Sequence, residues 1–201
     1  MAANLNVVFM GTPDFAAVIL QHLLSRPQTM ISAVVTQPDR PKGRGRKLTP
    51  SPVKLLAQEN GLHLWQPATL SGPQEKEFLA SLAPDFLLVA AFGHILPQKI
   101  LSIPGYDSLN VHASLLPKYR GAAPIQRALA NGEAVTGISI MCMRPGLDCG
   151  PVLLQRPLPI GPQDTAATVH DNLAQLGGKC LVHTLDRWQA QDLVPVPQDE
   201  S

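Results

Sequence analysis

Asn6-Val7-Val8-Phe9-Met10-Gly11-Thr12-Pro13-Asp14 sets the fold class of this chain. Residues 6–10 are Val- and Phe-rich and read as a buried strand that Gly11 stops. Thr12 is an N-cap candidate, Pro13 takes the first helical position, and residues 15–24 continue with helical spacing. Outward from that unit the pattern repeats. Residues 30–36 (MISAVVT) and 85–91 (DFLLVAA) are continuous apolar runs, with predicted helices over 52–59 and 73–83 and a short strand over 62–65 between them. Apolar strands alternating with helices are the mark of a parallel sheet covered on both faces. The second half differs. A short strand is predicted over 107–112, and strands over 136–143 and 151–157 lie close enough together to pair antiparallel. A last helix, capped by Asp164 or Thr165, carries a stripe of Val169, Leu173, Leu176, Cys180 and Trp188 that Gly177-Gly178 breaks. The expected fold is therefore α/β: a Rossmann-like, doubly wound, mostly parallel sheet with a mixed second half.

The first turn holds one glycine where a dinucleotide-binding GxGxxG would hold three, so that fingerprint is absent. It serves either as a glycine-enabled turn or as a helix N-terminus facing an anion or substrate. Walker, HExxH, GxSxG and EF-hand patterns are also missing, which argues against ATP hydrolysis, zinc proteolysis and esterase chemistry.

With 201 residues, 45% hydrophobic and 15% charged, the chain fits one domain that buries its own core without a disulfide or metal staple. Its low charge excludes a charge-rich disordered chain. Its 20 prolines form neither a PxxP array nor a Gly-X-Y period and read as stops between elements. Cys142, Cys149 and Cys180 are odd in number and lack CxxC spacing, against a zinc ribbon or disulfide framework. The N-terminus has no basic n-region and no stretch reaches membrane-spanning length, so a cytoplasmic protein is expected.

The net charge of +1 conceals an uneven distribution. Arg40, Lys42, Arg44, Arg46, Lys47 and Lys54 fall in one acid-free segment, leaving ten basic residues against fifteen acids elsewhere. Pro and Gly interleave with these cations, so the segment is expected to be an exposed, mobile loop, neither helix nor strand. Such a loop either contacts a polyanion or is merely solvated. With no aromatic for base stacking, phosphate contacts are its natural role.

Asn110, His112 and Asp148 are the polar residues that chemistry singles out in the second half. Asn110 and His112 stand two apart on a predicted strand, so they leave the same face. If that strand ends at the carboxyl edge of the sheet, both point into the crevice where α/β ligands bind. Asp148 lies in the glycine-flanked Arg144-Pro145-Gly146-Leu147-Asp148-Cys149-Gly150, which could return a carboxylate to the same crevice. An amide donor, an imidazole and a carboxylate suit acyl transfer: Asn and His stabilise an oxyanion, while Asp orients or charges His and accepts a proton. A strand-end Asn, a satisfied core His and an Asp in a turn are the plainer alternative.

Beyond single residues, Asn110-Val-His112-Ala-Ser114-Leu-Leu-Pro117-Lys-Tyr-Arg120-Gly121-Ala-Ala-Pro124-Ile-Gln126 closely resembles the signature of the 10-formyltetrahydrofolate-dependent formyltransferases. Gly11-Thr-Pro-Asp-Phe15, Thr36-Gln-Pro-Asp-Arg40 with Gly43-Arg-Gly45, Phe92-Gly93-His-Ile-Leu-Pro97, Thr136-Gly137 and Gly146-Leu-Asp148-Cys-Gly150 follow in the family's order. The Gln-Pro-Asp-Arg loop and Arg-Gly-Ala-Ala-Pro-Ile-Gln resemble the branch that formylates methionyl-tRNA. The resemblance implies a catalytic domain over 1–190 that passes the formyl group of 10-formyltetrahydrofolate to the α-amine of methionine on initiator tRNA. It implies no metal. Asn110, His112 and Asp148 are then catalytic.

Folate binding falls, by the same resemblance, to Phe92, Gly93, Ile95, Leu96 and Pro97, to Ser114, Leu115, Leu116 and Pro117, and to Arg144, Pro145, Gly146 and Leu147. Contact to tRNA falls to Arg40, Lys42, Arg44, Arg46 and Lys47. Family members continue into a β-barrel domain that helps hold tRNA, so residues 191–201 look like the start of a linker, and that second domain is expected to be missing from this chain. A monomer is expected. The competing readings are a formyltransferase for a small amine, such as a sugar nucleotide or glycinamide ribonucleotide, and a folate- or RNA-binding module without turnover.

Overall fold

The computed structural model describes residues 4–42 and 47–199. In chain order the elements are β1 (Leu5–Gly11), α1 (Asp14–Leu24), β2 (Thr29–Val35), β3 (Arg40–Lys42), β4 (Lys47–Thr49), α2 (Pro52–Glu59), β5 (Leu64–Trp65), α3 (Pro73–Ser81), β6 (Phe86–Ala90), α4 (Gln98–Leu101), β7 (Asp107–His112), α5 (Pro124–Ala130), β8 (Val135–Cys142), β9 (Val152–Pro159) and α6 (Ala166–Gln189).

Among the described residues, seven strands form one sheet in the order β5-β2-β1-β6-β7-β8-β9. The pairings from β5 to β7 are parallel. β8 and β9 then run antiparallel, as their short separation predicts. The winding reverses at β1: the chain moves out to β2 and β5, returns to β6 on the other side and continues to β7. A reversal of this kind opens a crevice outside the carboxyl ends of the central strands.

Side chains alternate across the buried strands with period two. Val7 and Phe9, with Phe86, Leu88 and Ala90, face a core completed by Ile19 and Leu20 of α1, Val53 of α2, and Leu173 and Leu181 of α6. Val8, Met10, Leu87 and Val89 face a second core with Leu79 of α3 and Ile100 of α4. Leu109 and Val111 of β7 belong to the first core. Asn110 and His112 therefore leave the opposite face, as their spacing requires.

Two local expectations give way. Thr12 does not cap α1: the helix begins at Asp14 with Pro13 as its N-cap and no side-chain cap, while the Thr12 hydroxyl donates to the Phe92 carbonyl at 3.1 Å. The tertiary partner outcompetes the local one. The basic segment does not stay irregular, because β3 and β4 pair antiparallel with Arg40 opposite Thr49 and Pro41 opposite Leu48. Among the described residues β3 and β4 form a sheet of their own, and such edge strands tolerate a proline that a central strand would not.

Gly177-Gly178 interrupts the apolar stripe of the last helix and not the helix itself. α6 runs unbroken from a capping box in which Thr165 and Thr168 reciprocate. A Cβ on Gly178 would stand 2.3 Å from His22 Cδ2 and 2.8 Å from His22 Cβ. The glycine lets α1 and α6 approach closely, and it does not end the helix. The short α4 and α5 carry no periodic signal to read.

Candidate active site

The site stands at the carboxyl end of β7, where three loops converge. The loop after β1 and the segments after β2 and β6 are tied at one atom: the Phe92 carbonyl accepts from Thr12 Oγ1 and from Gln37 Nε2, at 3.1 and 2.8 Å. Gln66 Nε2 in turn donates to the Gln37 carbonyl at 2.8 Å and to Asp39 Oδ1 at 2.9 Å.

Asn110, His112 and Asp148 come together. Asn110 Nδ2 donates to Asp148 Oδ1 at 3.2 Å, and His112 Nδ1 lies 3.5 Å from Asp148 Oδ2. Asp148 Oδ2 also accepts from the Gly121 N–H at 2.8 Å. On the other side of the ring, His112 Nε2 meets the Tyr119 carbonyl at 3.0 Å. A carbonyl only accepts, so Nε2 carries the hydrogen and the Nδ1 edge faces the carboxylate. Asn110 retains a second amide hydrogen beyond the one given to Asp148.

Left-handed backbone collects around these groups. Ala91 follows β6 at φ 43°, Tyr119 and Ala123 sit at 59° and 54° after β7, and Asp148 itself adopts 47°. Non-glycine residues persist in this region only where surrounding contacts hold them, and they cluster at functional sites.

The predicted folate segments frame the same face. Phe92 and Leu96 are buried in the second core, and Met143, immediately before Arg144, packs against that core. Gly93 is exposed and Pro97 caps α4. Ser114 and Leu116 are buried, Leu115 is half-buried and Pro117 is exposed. Ser139 Oγ donates to the Ser114 carbonyl at 2.7 Å and accepts from Leu116 N at 3.0 Å, while Gln155 Nε2 reaches the Leu116 carbonyl at 2.8 Å.

Pro145 and Gly146 are exposed, and two large apolar side chains are bare: Ile95 at 92% and Leu147 at 66% exposure. Arg144 is committed to a bidentate pair with Asp107, at 2.8 and 2.9 Å. Burial would raise the Asp107 carboxyl, but the Arg144 guanidinium and the bonds from Cys142 and Ser108 outweigh it and hold it below its ordinary value. Burial, aided by the Asp107 charge, pushes the Cys142 thiol up to about 12, and burial raises Cys180 to about 11. Both thiols stay protonated at neutral pH and are poor nucleophiles.

Of the predicted tRNA contacts, Arg40 is exposed on β3, and Lys42 and Lys47 stand opposite each other in the ribbon register. Arg44 and Arg46 lie outside the described residues, as do the Lys42 and Lys47 side chains. Lys54, counted with the same basic segment, pairs with Asp39 at 2.6 Å at the foot of the ribbon. Sequence reasoning missed the Gly121 N–H and the Tyr119 carbonyl, because a main-chain atom leaves no residue-type signal. It also missed Ser139 and Gln155. Their alternation on β8 and β9 marks a face and says nothing of what stands on it.

Among the described residues, no group of three or more His, Cys, Asp or Glu is placed to hold a metal, and no helix is long and apolar enough to cross a membrane.

Comparison with known proteins bears on this geometry. The chain is 51% identical over 199 residues to the methionyl-tRNA formyltransferase of Geobacter sulfurreducens, covering 99% of this chain and 62% of that protein. It is 52% identical over 200 residues to the methionyl-tRNA formyltransferase of Nitratidesulfovibrio vulgaris, covering 100% of this chain and 61% of that one. The chain thus spans about six-tenths of the length of these curated relatives. In fold it matches the crystal structure of glycinamide ribonucleotide transformylase 1 from Symbiobacterium toebii, with a TM-score of 0.79 at 18% identity over 98% of this chain and 95% of that one. The formyl transferase family model matches residues 4–185, nearly the whole described chain, so the protein belongs to the formyl transferase family.

Proposed function

We propose that residues 1–190 form a catalytic domain that transfers the formyl group of 10-formyltetrahydrofolate to the α-amine of methionine on initiator methionyl-tRNA. The observation that carries this reading is the Asp148 carboxylate, which joins Asn110 Nδ2, the Gly121 N–H and the His112 ring at one strand end. About 50% identity to proteins named methionyl-tRNA formyltransferase supports the choice of substrate.

In this reading the amine nitrogen attacks the formyl carbon. The free amide hydrogen of Asn110 and the His112 Nε2–H, exchanging the Tyr119 carbonyl for the substrate, receive the developing oxyanion, the largest single source of rate in acyl transfer. Asp148 takes the proton the amine loses on bond formation, and that proton leaves with the folate nitrogen when its bond to the formyl carbon breaks. The bare Ile95 and Leu147, with the main chain of Gly93 and Gly146, suit a flat heteroaromatic ligand. Arg40, Lys42, Arg44, Arg46 and Lys47 would meet tRNA phosphates.

Formyl transfer to methionyl-tRNA, glycinamide ribonucleotide and an amino-sugar nucleotide, each measured with 10-formyltetrahydrofolate, tests the reading. Turnover on methionyl-tRNA alone is expected. Preference for a small amine would reassign the substrate, and folate binding without turnover on any acceptor would remove the catalytic role.

A further inference from the structure

Beyond α6 the chain turns back onto the site. Val196 exchanges both main-chain hydrogen bonds with Val152 at the start of β9, at 2.8 Å each. This bridge sets the half-buried Gln198 beside the loop that carries Asp148. Gln198 Nε2 donates to the carbonyls of Asp148 and Gly150, both at 2.8 Å, and Oε1 accepts from Arg120 Nε at 2.9 Å. A carboxamide offers two N–H donors and an acceptor oxygen, so one side chain gives both donors to one loop and its oxygen to the other, clamping the two together.

Those two loops hold the two ends of the Asp148 contact. Arg120 precedes Gly121, whose N–H binds Asp148 Oδ2. Tyr119, the residue before, gives its carbonyl to His112. Arg127 Nη1 holds the Arg120 carbonyl at 2.8 Å from α5. On the other loop, Gly146 at φ 119° and Asp148 at φ 47° leave a backbone that its own residues do not favour. Gly150 is wedged so tightly that a Cβ there would stand 1.8 Å from the Cys142 carbonyl oxygen. Such a conformation needs outside contacts to persist, and the Gln198 amide supplies them at the peptide that aims the carboxylate.

We infer that Gln198 is a positioning residue for Asp148, so the segment after α6 is part of the frame of the site. Gln198 touches no reacting atom; it fixes the peptide of Asp148 and the spacing between Asp148 and Gly121. The inference rests on the role of Asp148 under the proposed function.

The test uses the full-length protein and two variants, Gln198→Ala and Gln198→Glu. Glutamate keeps the length and the acceptor for Arg120 but cannot donate to the two carbonyls. Both variants are expected to lose about tenfold in kcat, the scale of one to two hydrogen bonds, with KM for both substrates and the thermal midpoint near the parent's. The Gly121 amide should also exchange hydrogen faster in both, because its bond to Asp148 loosens.

Parent-like kcat and a protected Gly121 amide in Gln198→Ala would overturn the inference. So would full activity in Gln198→Glu, which would show that the donated bonds are dispensable. Were the parent itself to transfer no formyl group, the proposed function would fall, while Gly121 exchange would still decide whether Gln198 sets the loop.

Discussion

Asp148 occupies a left-handed conformation that costs a non-glycine residue roughly 1–2 kcal/mol, and it does so while bonded to Asn110 Nδ2 and the Gly121 N–H. Those contacts hold the carboxylate beside an imidazole whose other nitrogen is already engaged by a carbonyl, so the ring plane is set before substrate arrives. Removing one oxyanion donor typically costs 10²–10³ in rate. Asn110→Ala is accordingly expected to lower turnover by about that factor with little change in thermal midpoint, measured by steady-state formyl transfer and circular dichroism. Near-parental turnover would remove Asn110 from the catalytic set. The trio is legible because Asn-x-His on a strand and a glycine-framed Asp are side-chain patterns. The partners that orient it are main-chain atoms, which no residue type announces.

The basic segment shows where element-level reading fails, and the last helix shows what its glycines do. Pro and Gly among Arg40, Lys42, Arg44 and Arg46 argue for irregular chain, yet β3 and β4 pair, because a two-stranded ribbon made of edge strands tolerates a proline. Lys54 belongs by sequence with the cations of the basic segment, but Asp39 neutralises it. Arg40→Gln combined with Arg44→Gln and Arg46→Gln should therefore flatten the dependence of tRNA binding on salt, by about 0.7–0.9 in log–log slope for each phosphate that is no longer neutralised. Lys54→Gln should leave the slope unchanged, and titrations from low to high salt compare them. In α6, Gly178→Ala gains about 0.5–1 kcal/mol in helix propensity but drives a methyl into the His22 ring. Overpacking of that kind costs about 1–3 kcal/mol, so net destabilisation is expected in urea unfolding. Gly177→Ala, with its nearest neighbour at 3.1 Å, should be close to neutral. Truncation at His22 should rescue the first.

Across the whole molecule, carboxylates tie distant elements together and give the fold an acid limit. Asp39 is held below its ordinary value by hydrogen bonds from Gln66 and Lys54, Asp107 by Arg144 against its burial, Glu133 by Tyr119 and Lys118, and Asp164 by the Gly161 N–H and Thr168. A lowered carboxyl contributes stability that is complete above its unfolded value, near 4, and is lost as pH falls through its folded value. Unfolding free energy should thus decline below about pH 4, and Asp39→Asn with Asp107→Asn should flatten that decline in urea titrations at successive pH values; parallel acid limbs would contradict it. The α/β class, the main alternation of strands and helices and the antiparallel end are readable in the chain, because hydrophobic period and turn chemistry are local properties; β3, β4, α4 and α5 are not. Asn110, His112 and Asp148 are readable too, because their chemistry is carried by side chains. The closure of the site is not. Gly121 and Gln198 lie 27 and 50 residues from Asp148, and with Tyr119 they act through backbone geometry or a single carboxamide. Contacts of that kind exist only after packing has brought the loops together, since no period or composition encodes them.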